Sequence, residues 1–247
     1  MADTAGRRVT SLVGVLVPAA GVGVRLGAGR PKALRELAGE PVLVHAVRGL
    51  RACPSVGPIV VAAPVADVDT VRDQLAAYDV LVVAGGAERQ DSVRAALAAL
   101  PAGVELVLVH DAARCLTPVE VVERVVAALR SGAPAVVPVL PVADTVKQVA
   151  DDRVVRTVDR AALVSVQTPQ GFLRAVLEQA HADGADGAAG LSDDAGLVEA
   201  MGAPVVTVPG ADEAFKVTRP LDLLLAEALL AMTAPVQARH GGGRHAG

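Results

Sequence analysis

The chain has 247 residues, 52% of them apolar and only three aromatic (Tyr78, Phe172 and Phe215), with a formal net charge of −4. That length suits one domain with one core, which valine, leucine and alanine must fill. The mild acidity excludes a general nucleic-acid binder with a basic face, and the scarcity of aromatics removes the stacking platform that single strands need.

In chain order, the apolar run Leu12–Val17 predicts a buried strand. Arg7-Arg8 before it imitates the start of a secretory signal. Cleavage after Ala19 or Ala20 would remove the strand that carries a glycine loop, so the run is read as the first strand of a sheet. Further strands are predicted at Pro58–Ala63, Val80–Ala84, Val104–Val109 and Ala135–Val139. Helices are predicted at Val42–Arg51, Asp67–Ala77, Asp91–Leu100 and Pro118–Arg130, with Asp67 and Thr117 as N-caps. Strands apolar throughout and separated by helices specify an α/β fold: three layers, with a Rossmann-like, mostly parallel sheet covered on both faces. The pattern breaks after Val139. Pro141 to Asp159 has alternating valines around Asp151-Asp152, which predicts a projecting β-hairpin arm with its turn at those aspartates. A short strand near Leu163–Val166, a helix from about Phe172, a Gly/Ala/Asp-rich loop over 183–190, a strand at Pro204–Val208 and a helix from Arg219 follow. Residues 1–235 thus form a single domain, with a disordered Gly- and His-rich tail at 236–247. Cys53 and Cys115 have no ligand-like spacing and read as free core residues of a protein in the reducing cytoplasm. No apolar run reaches the ~20 residues needed to span a bilayer.

The segment after the first strand, Pro18-Ala19-Ala20-Gly21 to Arg25 and then Pro31-Lys32, is the richest in chemistry. Glycines let backbone N–H groups approach an anion closely, and two cations follow on the same loop. Amides that hold oxygens and cations that oppose charge at phosphorus suit a polyphosphate. It is not a dinucleotide fingerprint: Gly21 and Gly23 fit G-x-G-x-x-G, but Leu26 stands at the third position. Nor is it a Walker loop, since Lys32 follows Pro31 rather than glycine. The bland alternative is a Gly-rich turn with solvated cations.

Asp111 ends a strand directly after His110, where a carboxylate can hold Mg²⁺ or cap the next turn. His110 reads as structural, having no nucleophile or paired acid beside it in sequence. Gly85-Gly86 to Ser92 lies between a strand and a helix, where backbone groups and a hydroxyl can read a base edge or simply form a connecting loop. Arg114, Arg160 and Lys216 suit a phosphomonoester, and Thr145 and Thr168 suit hydroxyls. Singly, each reads as a surface residue.

Taken together these pieces resemble a family. Pro18-Ala-Ala-Gly21, Arg25, Pro31-Lys32 and Leu37-x-Gly39-x-Pro41 resemble the opening of sugar-phosphate nucleotidyltransferases. Gly85 to Ser92, His110 to Arg114, Asp144-Thr145, Val158 to Arg160, Gln167 to Gln170 and Phe215 to Pro220 follow in the order of the 2-C-methyl-D-erythritol 4-phosphate cytidylyltransferases of non-mevalonate isoprenoid synthesis. The resemblance runs from about Leu12 to about Leu230. It implies an enzyme that joins CTP to 2-C-methyl-D-erythritol 4-phosphate, releasing pyrophosphate. By that likeness Arg25, Lys32 and Lys216 would be catalytic, and Ala19, Ala20, Gly21, Gly86 and Ser92 would bind CTP. Arg114, Thr145, Arg160, Thr168 and Lys216 would bind the acceptor, and Asp111 would hold Mg²⁺. The arm would clasp a second copy in a homodimer, lending Thr145 and Arg160 to the neighbour's site. The chain departs from the family pattern at Ala87, where aspartate is common, and at Cys115, where proline is usual. Two rival readings stand beside this one: a cytidylyltransferase for another polyol phosphate such as ribitol 5-phosphate, and a non-catalytic nucleotide-binding protein on the same fold.

Overall fold

The computed structural model describes residues 12–21, 31–183 and 193–233. Arg7-Arg8, Arg25, the loop expected over 183–190 (beyond its first residue) and the tail expected at 236–247 lie outside them.

The chain opens with β1 (Leu12–Pro18), a 3₁₀ turn (Lys32–Leu34) and a small hairpin of β2 (Glu36–Leu37) and β3 (Glu40–Pro41). Then come α1 (Val42–Arg51), β4 (Val56–Ala63), α2 (Val68–Gln74), β5 (Val80–Ala84), α3 (Arg89–Ala98), β6 (Val104–Val109) and α4 (Val119–Arg130). The second half holds β7 (Ala135–Pro141), β8 (Val146–Ala150), β9 (Arg153–Val158), β10 (Val164–Val166), β11 (Gln170–Leu173), α5 (Arg174–Asp183), α6 (Asp194–Ala200), β12 (Val205–Pro209) and α7 (Pro220–Thr233).

The main sheet has eight strands in the order β10-β7-β11-β6-β1-β4-β5, with β12 paired to β7. β1 runs parallel to β4 and β6, β4 to β5, and β12 to β7, while β10 and β11 run antiparallel to their neighbours. Side chains alternate across each strand. Val13, Val15 and Val17 of β1 therefore join one core with α1, α2 and α4, whereas Leu16 faces a second core built with α3, α5 and α6. That is the three-layer sandwich which continuous apolar strands require. Gly14 is on Leu16's side, and a Cβ there would meet Leu100 Cδ2 at 2.8 Å, so glycine admits the Leu100 side chain against the sheet.

Several expectations need correction. The helix expected from Phe172 begins at Arg174, because Gln170–Leu173 form strand β11 between β6 and β7. Thr117 is not a helix cap: Pro118 precedes α4, and the Thr117 hydroxyl donates to the Arg114 carbonyl at 2.9 Å. Asp67 stands at the N-cap of α2 without a capping hydrogen bond from its side chain, and α2 ends at Gln74. Helix α6 and the β2–β3 hairpin were not foreseen. The arm is the β8–β9 hairpin, with Ala150 opposite Arg153 and the two turn aspartates at φ 47° and 59°. Positive φ at both central residues is what a two-residue hairpin turn needs to match strand twist. Among the described residues, no helix is long and apolar enough to cross a membrane.

Candidate active site

The carboxyl ends of β1, β5 and β6 converge on one cleft of about 180 Å³, lined by Pro18 to Gly21, Lys32, Ala33, Gly86 to Arg89, Ser92, Asp111 to Ala113 and Lys216. Crevices at strand carboxyl ends are where open α/β sheets bind ligands. The backbone holds the walls: Ala19 N–H donates to Ala62 O at 2.8 Å, Gly85 N–H to Ala63 O at 2.7 Å and His110 N–H to Leu16 O at 2.9 Å.

The β5 loop lies against the β1 loop because it lacks side chains. A Cβ at Gly85 would meet Ala20 Cβ at 2.6 Å and Ser92 Oγ at 2.8 Å, and one at Gly86 would meet Asp91 Cβ at 2.1 Å. Ser92, buried in the first turn of α3, accepts from Gly86 N–H at 3.1 Å and donates to Glu88 O at 3.3 Å. Its hydroxyl thus shapes the glycine loop, and Asp91 completes it by accepting from Glu88 N–H at 3.0 Å.

Asp111 is one of two acidic residues that line the cleft, the other being Glu88. Its Oδ2 accepts from Lys216 Nζ at 2.6 Å and its Oδ1 from Arg89 Nε at 3.4 Å. Burial opposes ionisation, but Arg89 and Lys216 outweigh it and hold the carboxyl well below the usual carboxylate range. Lys216 is brought across by a backbone bond from Val217 N–H to Ala113 O at 2.8 Å.

Behind Asp111 lies a buried polar set. Asp111 N–H donates to Thr168 Oγ1 at 3.0 Å, and Thr168 Oγ1 lies 3.2 Å from His110 Nδ1. His110 Nε2 faces the Arg114 carbonyl at 3.2 Å. A carbonyl only accepts, so Nε2 carries the hydrogen and Nδ1 accepts from the threonine hydroxyl. Burial pushes the His110 pKa down to about 4, so the ring is neutral near pH 7.

The expected site residues therefore divide into three groups. Ala19, Ala20, Gly21, Lys32, Gly86, Ser92, Asp111 and Lys216 share the cleft. Thr168 and Arg114 stand behind it. The Thr168 hydroxyl is used within the protein, and the Arg114 guanidinium donates to Ala214 O at 2.8 Å and Val166 O at 3.1 Å, tying down the segment before Lys216. Thr145 and Arg160 line no part of the cleft: both are exposed at the base of the arm, where Arg160 donates to the Ala143 carbonyl. Sequence reasoning missed Arg89. It stands within the Gly85–Ser92 motif as the first residue of α3, and the motif's place between a predicted strand and a predicted helix was the available signal.

The donor set fits Mg²⁺ only in part. Among the described residues no group of three or more His, Cys, Asp or Glu could hold a metal ion. Asp111 supplies one ionised carboxylate, which suffices for a Mg²⁺ that completes its shell with phosphate oxygens and water, but Lys216 and Arg89 already face its two oxygens.

A doubly covered, mostly parallel sheet with a glycine-walled, cation-bearing cleft at its strand ends is suited to an anionic ligand such as a nucleotide. Comparison with known proteins narrows this. Residues 13–232 match the family model described as 2-C-methyl-D-erythritol 4-phosphate cytidylyltransferase. Proteins of that name from Frankia casuarinae (61% identical, covering 90% of this chain and 83% of that one) and Streptomyces avermitilis (54%, covering 87% and 90%) are similar to it. So is the crystal structure of the Thermus thermophilus protein of that name, at 39% identity and TM-score 0.72, covering 88% of this chain and 98% of that one. The 4-diphosphocytidyl-2C-methyl-D-erythritol synthase structure from Anaerococcus prevotii has a TM-score of 0.80 at 27% identity, covering 90% and 97%. This chain belongs to the 2-C-methyl-D-erythritol 4-phosphate cytidylyltransferase family.

Proposed function

We propose that this enzyme transfers CMP from CTP to 2-C-methyl-D-erythritol 4-phosphate. An anionic oxygen of the acceptor phosphate attacks the α-phosphorus in line. A new P–O bond forms, the bond from the α-phosphorus to the bridging oxygen of the β-phosphate breaks, and the electron pair leaves with pyrophosphate. The observation that carries this reading is the placement of Lys32, Lys216 and Asp111 around a cleft walled by glycine backbone.

No protein nucleophile is required, because the acceptor already carries its own. The cleft agrees with that. Ser92 is spent on the glycine loop, the His110 ring has both nitrogens engaged, and burial raises the Cys115 thiol to about 11. Catalysis is then placement and charge stabilisation. Lys32 and Lys216 oppose the charge that builds on the phosphoryl oxygens, with Arg25 as a third cation. Backbone groups of Ala19 to Gly21 and Gly86 hold the nucleotide. Asp111 would hold Mg²⁺, which would supply Lewis-acid neutralisation of phosphate charge.

Thr145 and Arg160 stand apart from the cleft, and the arm bears exposed Val149, Val154 and Val155. An isolated hairpin is marginal in water. These observations support a homodimer in which the arm delivers Thr145 and Arg160 to the neighbour's acceptor phosphate.

Nucleotide choice tests the base-reading loop. Cytosine and uracil exchange a donor for an acceptor at the exocyclic position, and a buried polar group left unpaired costs about 1–3 kcal/mol. CTP should be preferred over UTP by roughly ten- to a hundredfold in kcat/KM. Equal use of the two would refute the roles of Gly86 and Ser92.

A further inference from the structure

Arg89 bridges two carboxylates. While its Nε faces Asp111 Oδ1 at 3.4 Å, its Nη1 donates to Asp194 Oδ2 at 2.7 Å. Asp194 is fully buried, and its other oxygen receives His181 Nε2 at 3.0 Å. Charges therefore alternate along one line from the cleft inward, Lys216, Asp111, Arg89 and Asp194, and the His181 ring packs against the last of them.

The inner end of that line is fixed by the fold. Asp194 is the first residue of α6, and Asp193 before it accepts from Gly196 N–H at 3.1 Å and from Gln170 Nε2 at 2.6 Å. Gln170 of β11 returns a contact by accepting from Ala195 N–H at 3.1 Å. A guanidinium is planar and presents its donors in fixed directions. Once Nη1 is committed to Asp194, the direction in which Nε points at Asp111 is set as well. Lysine, a single flexible ammonium, has no such geometry.

We propose that Arg89 and Asp194 are positioning residues: Asp194, anchored at the start of α6, orients Arg89, and Arg89 orients the Asp111 carboxylate in the cleft. Neither is a catalytic residue, because each acts through Asp111. The inference rests on the reading of Asp111 as the metal-holding carboxylate.

The test compares Asp194→Asn, Arg89→Lys and the double variant with the wild type. Loss of a group that orients a metal-holding side chain typically costs 10- to 100-fold in metal affinity or activity. Each single variant, assayed well below its unfolding temperature, should lose about tenfold or more in kcat while the KM for the acceptor phosphate moves less than about twofold. Mn²⁺ affinity of the enzyme with CTP bound and acceptor absent, measured by paramagnetic titration, should weaken by a similar factor. The double variant should be no worse than the more impaired single one, because both changes remove the same constraint. Multiplicative losses in the double variant, or unchanged kcat and Mn²⁺ affinity in either folded single variant, would overturn the proposal. A lowered unfolding temperature with kcat and Mn²⁺ affinity intact would reduce Asp194 to a structural residue, and would equally overturn it. If Asp194→Asn does not fold, Arg89→Lys decides alone. Mn²⁺ affinity is read without turnover, so a wild type inactive on the expected substrates refutes the function and not this inference.

Discussion

Lys32 is the residue on which the transition-state argument leans most, and Lys32→Ala should lower turnover roughly 10²-fold or more, as for loss of one preorganised charge donor. CTP affinity, measured by calorimetry, should change less; near-normal turnover in the folded variant would remove this role. A second prediction concerns His110. Its folded pKa, about 4, lies below the ordinary value of 6.5. Between those values the unfolded chain binds a proton that the folded chain refuses, so stability falls as the pH drops through that window. At about 1.4 kcal/mol per pH unit, the loss is on the order of 3 kcal/mol. Denaturant titrations at pH 7 and pH 4.5 should show the decline, and His110→Gln, which keeps a donor for the Arg114 carbonyl, should flatten it. An equally steep decline in that variant would contradict the assignment. Sequence exposed Lys32, Asp111 and the glycines, because strand ends and glycine loops leave a local signature. It did not expose Arg89 joined to Asp194 or Thr168 against His110, because those contacts join positions far apart in the chain, and nothing in a lone threonine or aspartate says which backbone it meets.

Strand β11 shows where local pattern fails at the scale of an element. Gln170–Leu173 is short and does not alternate, and it runs directly into α5, so it has neither the length nor the period of a strand. Tertiary packing makes it one, by pairing it antiparallel with both β6 and β7. Gly171 is the point of contact: a Cβ there would meet Val125 Cγ1 at 2.5 Å and Leu129 Cδ1 at 2.8 Å, pushing α4 off the sheet. Gly171→Val should therefore destabilise the protein by about 1–3 kcal/mol through overpacking, visible as a lowered denaturant midpoint. An unchanged midpoint would mean that α4 does not rest on this strand. The parallel strands β4, β5 and β6 were legible from sequence for the opposite reason, since each is a long apolar run bounded by turn residues. The arm was legible because Asp151-Asp152 between alternating valines is a strong hairpin signal.

At the scale of the whole molecule, the proposed homodimer is what would bring the exposed Thr145 and Arg160 to a cleft. Arg160→Ala should raise the KM for the acceptor phosphate far more than that for CTP. Mixed with Lys32→Ala after subunit exchange, it should recover part of the activity, because one site in each mixed dimer has both its Lys32 and its partner's Arg160. No recovery with exchange confirmed, or an active monomer by sedimentation, would contradict the shared site. Sequence conveyed the three-layer architecture because hydrophobic periodicity is local, whereas the proposed contact between copies would leave only the weak trace of apolar side chains on an exposed arm. A product assay reads the reaction itself. Purified enzyme with CTP and Mg²⁺ is offered 2-C-methyl-D-erythritol 4-phosphate, ribitol 5-phosphate and other polyol phosphates, and the products are identified by mass. The CDP-linked methylerythritol and equimolar pyrophosphate should form at the highest kcat/KM of the panel; faster transfer to ribitol 5-phosphate, or no transfer to any acceptor, would refute the proposed reaction.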